Sequence, residues 1–124
     1  MSHTTRHTLI SMLQTMRPAY SLAEQRFCET YLEPVFGTPD THGNYILSVG
    51  VDPTIAFTAH TDTVHRQEGI QTLSVEDNFI TTMTGSCLGA DCTTGLWLML
   101  GMIEAGIEGV YIAHAAEEIG GIGS

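Results

Sequence analysis

The chain contains no lysine, and its four arginines stand against fourteen acids, for a formal charge of −10 over 124 residues. A polyanion or an anionic membrane surface is repelled by such a field, so neither nucleic acid nor membrane is an expected partner. No apolar run approaches the ~20 residues needed to cross a bilayer. The N-terminal stretch MSHTTRHTLISMLQTMRPAY has no apolar core followed by a small-residue cleavage site, so no export signal is read and a cytoplasmic location is the default. Cysteine is scarce: Cys28, Cys87 and Cys92 are too few and too oddly numbered for a disulfide framework, and they read as reduced thiols. Internal repeats, low-complexity tracts and linkers are also missing. What remains is 43% apolar and only 15% charged. That is a globular composition, read as one domain over residues 1–124 with a modest core.

Hydrophobic spacing then orders the chain. Leu9, Ile10, Leu13 and Met16 recur at helical intervals, predicting a helix over about Thr5–Met16 that stops before Pro18. A second helix opens at Ser21, which with Glu24 forms a capping-box pair. Leu22, Phe27, Cys28 and Leu32 supply its core-facing stripe. YILSV reads as a strand, and Thr54–Ala59 as another with Ile55, Phe57 and Ala59 on one face. IQTLSVEDNFITTMTG predicts a hairpin turning near Asp77 and Asn78. TTGLWLMLGMIEAGI predicts a helix packed on more than one side, and VYIAHAA a final apolar strand. This order predicts an α/β sheet covered by helices.

Three polar clusters fall at strand ends or just after them, where open α/β sheets place their sites. In His60-Thr61-Asp62 the imidazole and the carboxylate share a face of an extended chain, and a carboxylate there suits the task of orienting a metal-bound histidine. The plainer alternative is a strand ending in solvated polar residues. In LGADCTTG, Asp91 stands at the start of the apolar helix. It is read either as a cap or, with Thr93 or Thr94 capping instead, as an acid aimed elsewhere. Glu117 and Glu118 follow the last strand, where neighbours point to opposite sides. One carboxylate is then able to ligate a metal while the other acts as general base, the alternative being two surface acids. Taken together, the clusters offer histidine and carboxylate ligands suited to zinc, with cobalt or manganese tolerated. His65 reads as a loop histidine facing solvent and His114 as a hydrogen-bonded sheet residue. His3 and His7, on one helix face, read as surface residues.

AHTDTVH, LGADCTTG and AEEIGGIGS, in this order and spacing, resemble the N-terminal catalytic half of the co-catalytic dizinc exopeptidases of metallopeptidase clan MH. The resemblance covers Tyr45–Ser124 well and the N-terminal helices loosely. It implies a three-layer α/β/α phosphorylase/hydrolase-like sheet, here truncated on its C-terminal side. By the same resemblance His60, Asp91 and Glu118 are metal ligands, with Asp91 bridging two Zn2+ ions (Co2+ or Mn2+ as substitutes). Asp62 orients His60, and Glu117 is the general base. The implied reaction is metal-dependent hydrolysis of a peptide or N-acyl amino acid. Two departures stand out. Cys92 follows Asp91 where some relatives carry a second aspartate, and only IGGIGS follows Glu118, so the later carboxylate and histidine of the family pattern are absent. The expectation is therefore a site incomplete in the isolated chain, with self-association or a partner chain supplying the missing ligands. The alternative is an inactive or split-enzyme fragment serving in assembly.

Overall fold

The computed structural model describes residues 5–116. Helix α1 (Arg6–Leu13) begins where the Thr5 hydroxyl accepts the Thr8 N–H at 3.1 Å. It is shorter than its apolar pattern predicts. The Leu13 carbonyl accepts the side-chain amide of buried Gln71 at 3.0 Å, and the Gln14 carbonyl accepts the Gln71 backbone N–H at 2.8 Å. With those carbonyls satisfied from outside, the chain leaves the helix and Thr15–Met16 form a short strand, β1. Helix α2 (Leu22–Tyr31) is capped as its sequence predicts: Ser21 Oγ accepts the Glu24 N–H at 3.1 Å, while Glu24 Oε1 accepts the Tyr20 N–H at 2.8 Å. Phe27, Cys28 and Leu32 are buried, but Leu22 is 51% exposed, contrary to the stripe read for it. Two helical positions are separated by about 200° around the axis. Turning Glu24 inward, onto the Thr61 hydroxyl at 2.8 Å, therefore turns Leu22 outward.

A single turn, α3 (Glu33–Phe36), leads to strands β2 (Tyr45–Val49) and β3 (Ala56–His60), then to the short β4 (Gly69–Ile70), which pairs antiparallel with β1. Strands β5 (Leu73–Val75) and β6 (Ile80–Thr82) form the hairpin, with Val75 opposite Ile80 across residues 76–79. Helix α4 (Ala90–Glu104) and strand β7 (Gly109–His114) close the described chain. The main sheet has the order β2-β7-β3: β7 runs antiparallel to β2 and parallel to β3. A parallel pair needs a crossover, and α4 provides it. The architecture is α/β, and no described helix is long and apolar enough to cross a membrane.

Alternation along the strands decides the core. Tyr45 and Leu47, Tyr111 and Ala113, and Phe57 and Ala59 all point to one face, where Phe27, Leu32, Phe36, Leu96, Met99 and Leu100 of the helices meet them. Helix α4 packs on both β3 and α1, so its continuous apolar run is used on more than one side, although Leu98 remains outside. The opposite sheet face is less covered among the described residues: Ile46 is 54% exposed beside half-buried Ile112. Gly109 is required where β7 begins, since a Cβ there would lie 2.7 Å from the Phe57 ring, which stacks on Tyr111 at 5.2 Å between centroids. Gly109→Ala is expected to destabilise the fold by about 1–3 kcal/mol through overpacking, read as a lower urea midpoint with an unchanged slope.

Candidate metal centre

The carboxyl ends of parallel β3 and β7 face the first turn of α4. The pairing continues past the strand, with the Thr61 N–H donating to the His114 carbonyl at 3.0 Å. Gly89 precedes the helix at φ +78°, where a Cβ would meet His65 Cε1 at 2.9 Å. Of the alternatives left open for Asp91, capping is not the one adopted: no side chain caps this helix, and Asp91 and Cys92 carry non-helical φ/ψ. The exposed Asp91 carboxylate reaches back across 31 residues of sequence to the buried His60 ring, with Oδ1 3.0 Å from Nε2.

The other ring nitrogen of His60, Nδ1, lies 2.8 Å from the main-chain carbonyl of Asp62 and 3.4 Å from that residue's carboxylate. The closer partner is thus the backbone oxygen and not the side chain. Carbonyls and carboxylates only accept, so both ring nitrogens carry hydrogens and the metal-free ring is an imidazolium. Burial opposes that charge, but the bonds to Asp62 and Asp91 outweigh it and raise the His60 pKa to about 10. Because the folded value lies above the ordinary 6.5, this pairing stabilises the metal-free fold fully below pH 6.5. That contribution is lost as pH rises through about 10. The His60 Cε1 proton resonance of metal-free protein is therefore expected to stay constant through neutrality and to shift only in the alkaline range, as an NMR titration reads directly.

The rim is held from beneath by Arg17, whose side chain is completely buried. Its Nε donates to the Thr61 carbonyl at 2.6 Å, one Nη to the Thr93 hydroxyl at 2.6 Å, and the other to the carbonyls of Thr15 and Met12 at 3.2 and 3.4 Å. The guanidinium also lies 3.7 Å over the Phe27 ring. Burial lowers its pKa to about 10, against the raising influence of neighbours that include Glu24 and Asp62, and it stays charged at neutral pH. Burial likewise pushes the Glu24 carboxyl up, opposed by its bonds from Thr61 and Tyr20. Arg17→Met keeps much of the bulk but strands the Thr61 carbonyl. A loss of about 2–4 kcal/mol is expected in thermal or urea unfolding.

His65 departs from the solvent-facing reading, for it is buried. Its Nε2 donates to the Cys87 carbonyl at 2.8 Å, and Nδ1 lies 2.7 Å from the Thr63 hydroxyl, so the ring ties the loop after β3 to the loop before α4. Gln71 works alongside it, donating to the carbonyls of Leu13 and Leu88 while accepting from the Thr82 hydroxyl. His114 is half-buried, with its ring centroid 6.3 Å from that of His60, and His7 is exposed. All three cysteines are free thiols. His3, Glu117 and Glu118 lie outside the described residues. Within them, His60, Asp91 and Cys92 offer one ligand atom each, all within 4.8 Å of one another. Two donors on tetrahedral zinc stand roughly 3.3 Å apart, so the 3.0 Å between Nε2 and Oδ1 suits a shared cation with little movement.

No family model and no curated protein sequence matches the chain. Solved structures do. The chain is similar to aminopeptidase PepT from Bacillus cereus, with a TM-score of 0.71 and 27% identity over 92% of this chain and 36% of that one. A tripeptidase from Staphylococcus aureus follows with TM-score 0.68 and 20% identity, again over 92% and 36%. Aminoacylhistidine dipeptidase from Vibrio alginolyticus matches with TM-score 0.61 and 17% identity, over 98% of this chain and 30% of that one. The class that the backbone defines is therefore an α/β fold shared with part of these peptidases. In particular, the chain spans about a third of the length of these peptidases and resembles them over that part.

Proposed function

We propose that this chain carries part of the active centre of a metal-dependent exopeptidase or related amide hydrolase. The observation that supports the reading best is the meeting of the anchored His60 ring with the Asp91 carboxylate at the carboxyl ends of two parallel strands. In this reading His60 Nε2 and Asp91 hold a divalent cation, zinc by preference. When bound, the cation supplies Lewis acidity, polarising a carbonyl and acidifying a water. The task of Asp62 is orientation: its carbonyl, backed by its carboxylate, keeps Nδ1 protonated so that Nε2 is the metal-facing nitrogen. By resemblance, Glu117 would take up and return the proton of a metal-bound water, and Glu118 would bind the second ion. The substrate is a peptide or N-acyl amino acid, as the peptidase neighbours suggest. Polypeptide beyond these residues, whether in the same chain or a partner, completes the donor set for two ions.

Metal titration followed by calorimetry tests this. The purified chain is expected to bind Zn2+ or Co2+ stoichiometrically, and His60→Ala or Asp91→Ala to weaken binding by roughly tenfold to a hundredfold or more while leaving the chain folded. Unchanged binding in both variants, or no binding by the parent, would refute the assignment.

A further inference from the structure

We propose that Cys92 is a metal ligand, so that His60, Asp91 and Cys92 together form a mixed nitrogen–oxygen–sulfur site for one thiophilic divalent cation. The proposal rests on the metal-centre reading of His60 and Asp91 and adds to it a donor absent from the dizinc pattern. Consecutive residues in a regular helix diverge by about 100°. The non-helical φ/ψ of Asp91 and Cys92 break that spacing, and the three donor atoms converge within 4.8 Å. Gly95 makes room for the sulfur: a Cβ at that position would lie 2.5 Å from Cys92 Sγ and 3.4 Å from the Cβ of Ala59, the residue before His60. The thiol is half-buried and packs against the core cluster that includes Ala59, the last core residue of β3 before His60.

Zinc holds sulfur at about 2.3 Å and nitrogen at about 2.0–2.1 Å, which places such donors roughly 3.6 Å apart. A closure of about 1 Å by the thiol and the exposed Asp91 carboxylate brings the three donors to zinc-ligand spacing. Binding forms a metal–thiolate bond and releases the thiol proton to solvent. Three protein donors leave a tetrahedral cation one open position, the arrangement of catalytic rather than structural sites. A thiolate in the shell selects zinc or cobalt over manganese and magnesium, narrowing the metal tolerance read from histidine and carboxylates alone. It also lets one ion be held without Glu118.

Cobalt(II) titration of the full 124-residue chain under reducing conditions distinguishes the two layers of inference. A thiolate-to-cobalt charge-transfer band in the near-ultraviolet is expected, saturating at a single equivalent alongside the visible d–d bands. Cys92→Ser is expected to abolish the near-ultraviolet band and weaken cobalt binding by roughly tenfold or more, while Cys87→Ser keeps both. Visible bands that depend on His60 and Asp91 without a near-ultraviolet band would overturn the Cys92 assignment and leave the metal centre standing. A band that survives Cys92→Ser would overturn it as well. No cobalt binding at all would overturn both readings.

Discussion

The guanidinium of Arg17 gives its hydrogens to the carbonyls of Met12, Thr15 and Thr61 and to the hydroxyl of Thr93, from a position with no access to water. Each acceptor belongs to a different part of the fold: the end of α1, strand β1, the rim after β3, and the first turn of α4. A buried charge is costly unless its hydrogen bonds are met. The segments therefore keep their places around Arg17, or the charge is stranded. Thr61 lies between His60 and Asp62, and Thr93 two residues beyond Asp91. The spacing of the candidate ligands is thus tied to one side chain that bonds to their neighbours in sequence. Near neighbours Glu24 and Asp62 supply opposite charge, so a chain rich in acids uses one of its few cations to organise its interior.

The same economy appears in the other buried polar groups. His65 donates to the Cys87 carbonyl and Gln71 to the carbonyls of Leu88 and Leu13, which holds the segment before α4 against the loop after β3 and against α1. Backbone groups of irregular loops need partners when buried, and here side chains provide them. The result is a hydrogen-bonded floor beneath an exposed carboxylate: His60 is anchored through Nδ1, while Asp91 is largely open to solvent. That contrast suits ion capture, in which the imidazole sets the position and the carboxylate adjusts.

Without a metal, the proton on His60 Nε2 occupies the place between nitrogen and carboxylate that a cation would take. The raised pKa and the proposed metal affinity therefore have a common origin, an acceptor-rich environment around the ring. The similarity to the peptidase structures, with backbone agreement at modest identity over a third of their length, gives the chain a known scaffold. On that scaffold the sheet face bearing Ile46 and Ile112 is the less covered one among the described residues.

Element type and order were legible in the amino-acid sequence because periodicity and turn chemistry are local. The Ser21–Glu24 cap, strand Tyr45–Val49, the hairpin about Asp77 and Asn78, and the long apolar α4 all announce themselves within a few residues. The position of His60, Asp62 and Asp91 at strand and helix ends was legible for the same reason. What only the tertiary structure decided was long-range and polar. Leu13 ends α1 because Gln71, 58 residues on, takes its carbonyl. Leu22 faces water because Thr61 draws Glu24 inward. His65 is buried because Cys87 accepts its hydrogen. No pattern of hydrophobicity encodes which distant carbonyl a side chain will meet. For that reason Arg17, an ordinary-looking cation beside a proline, emerged as the organiser of the site only once the chain was folded around it.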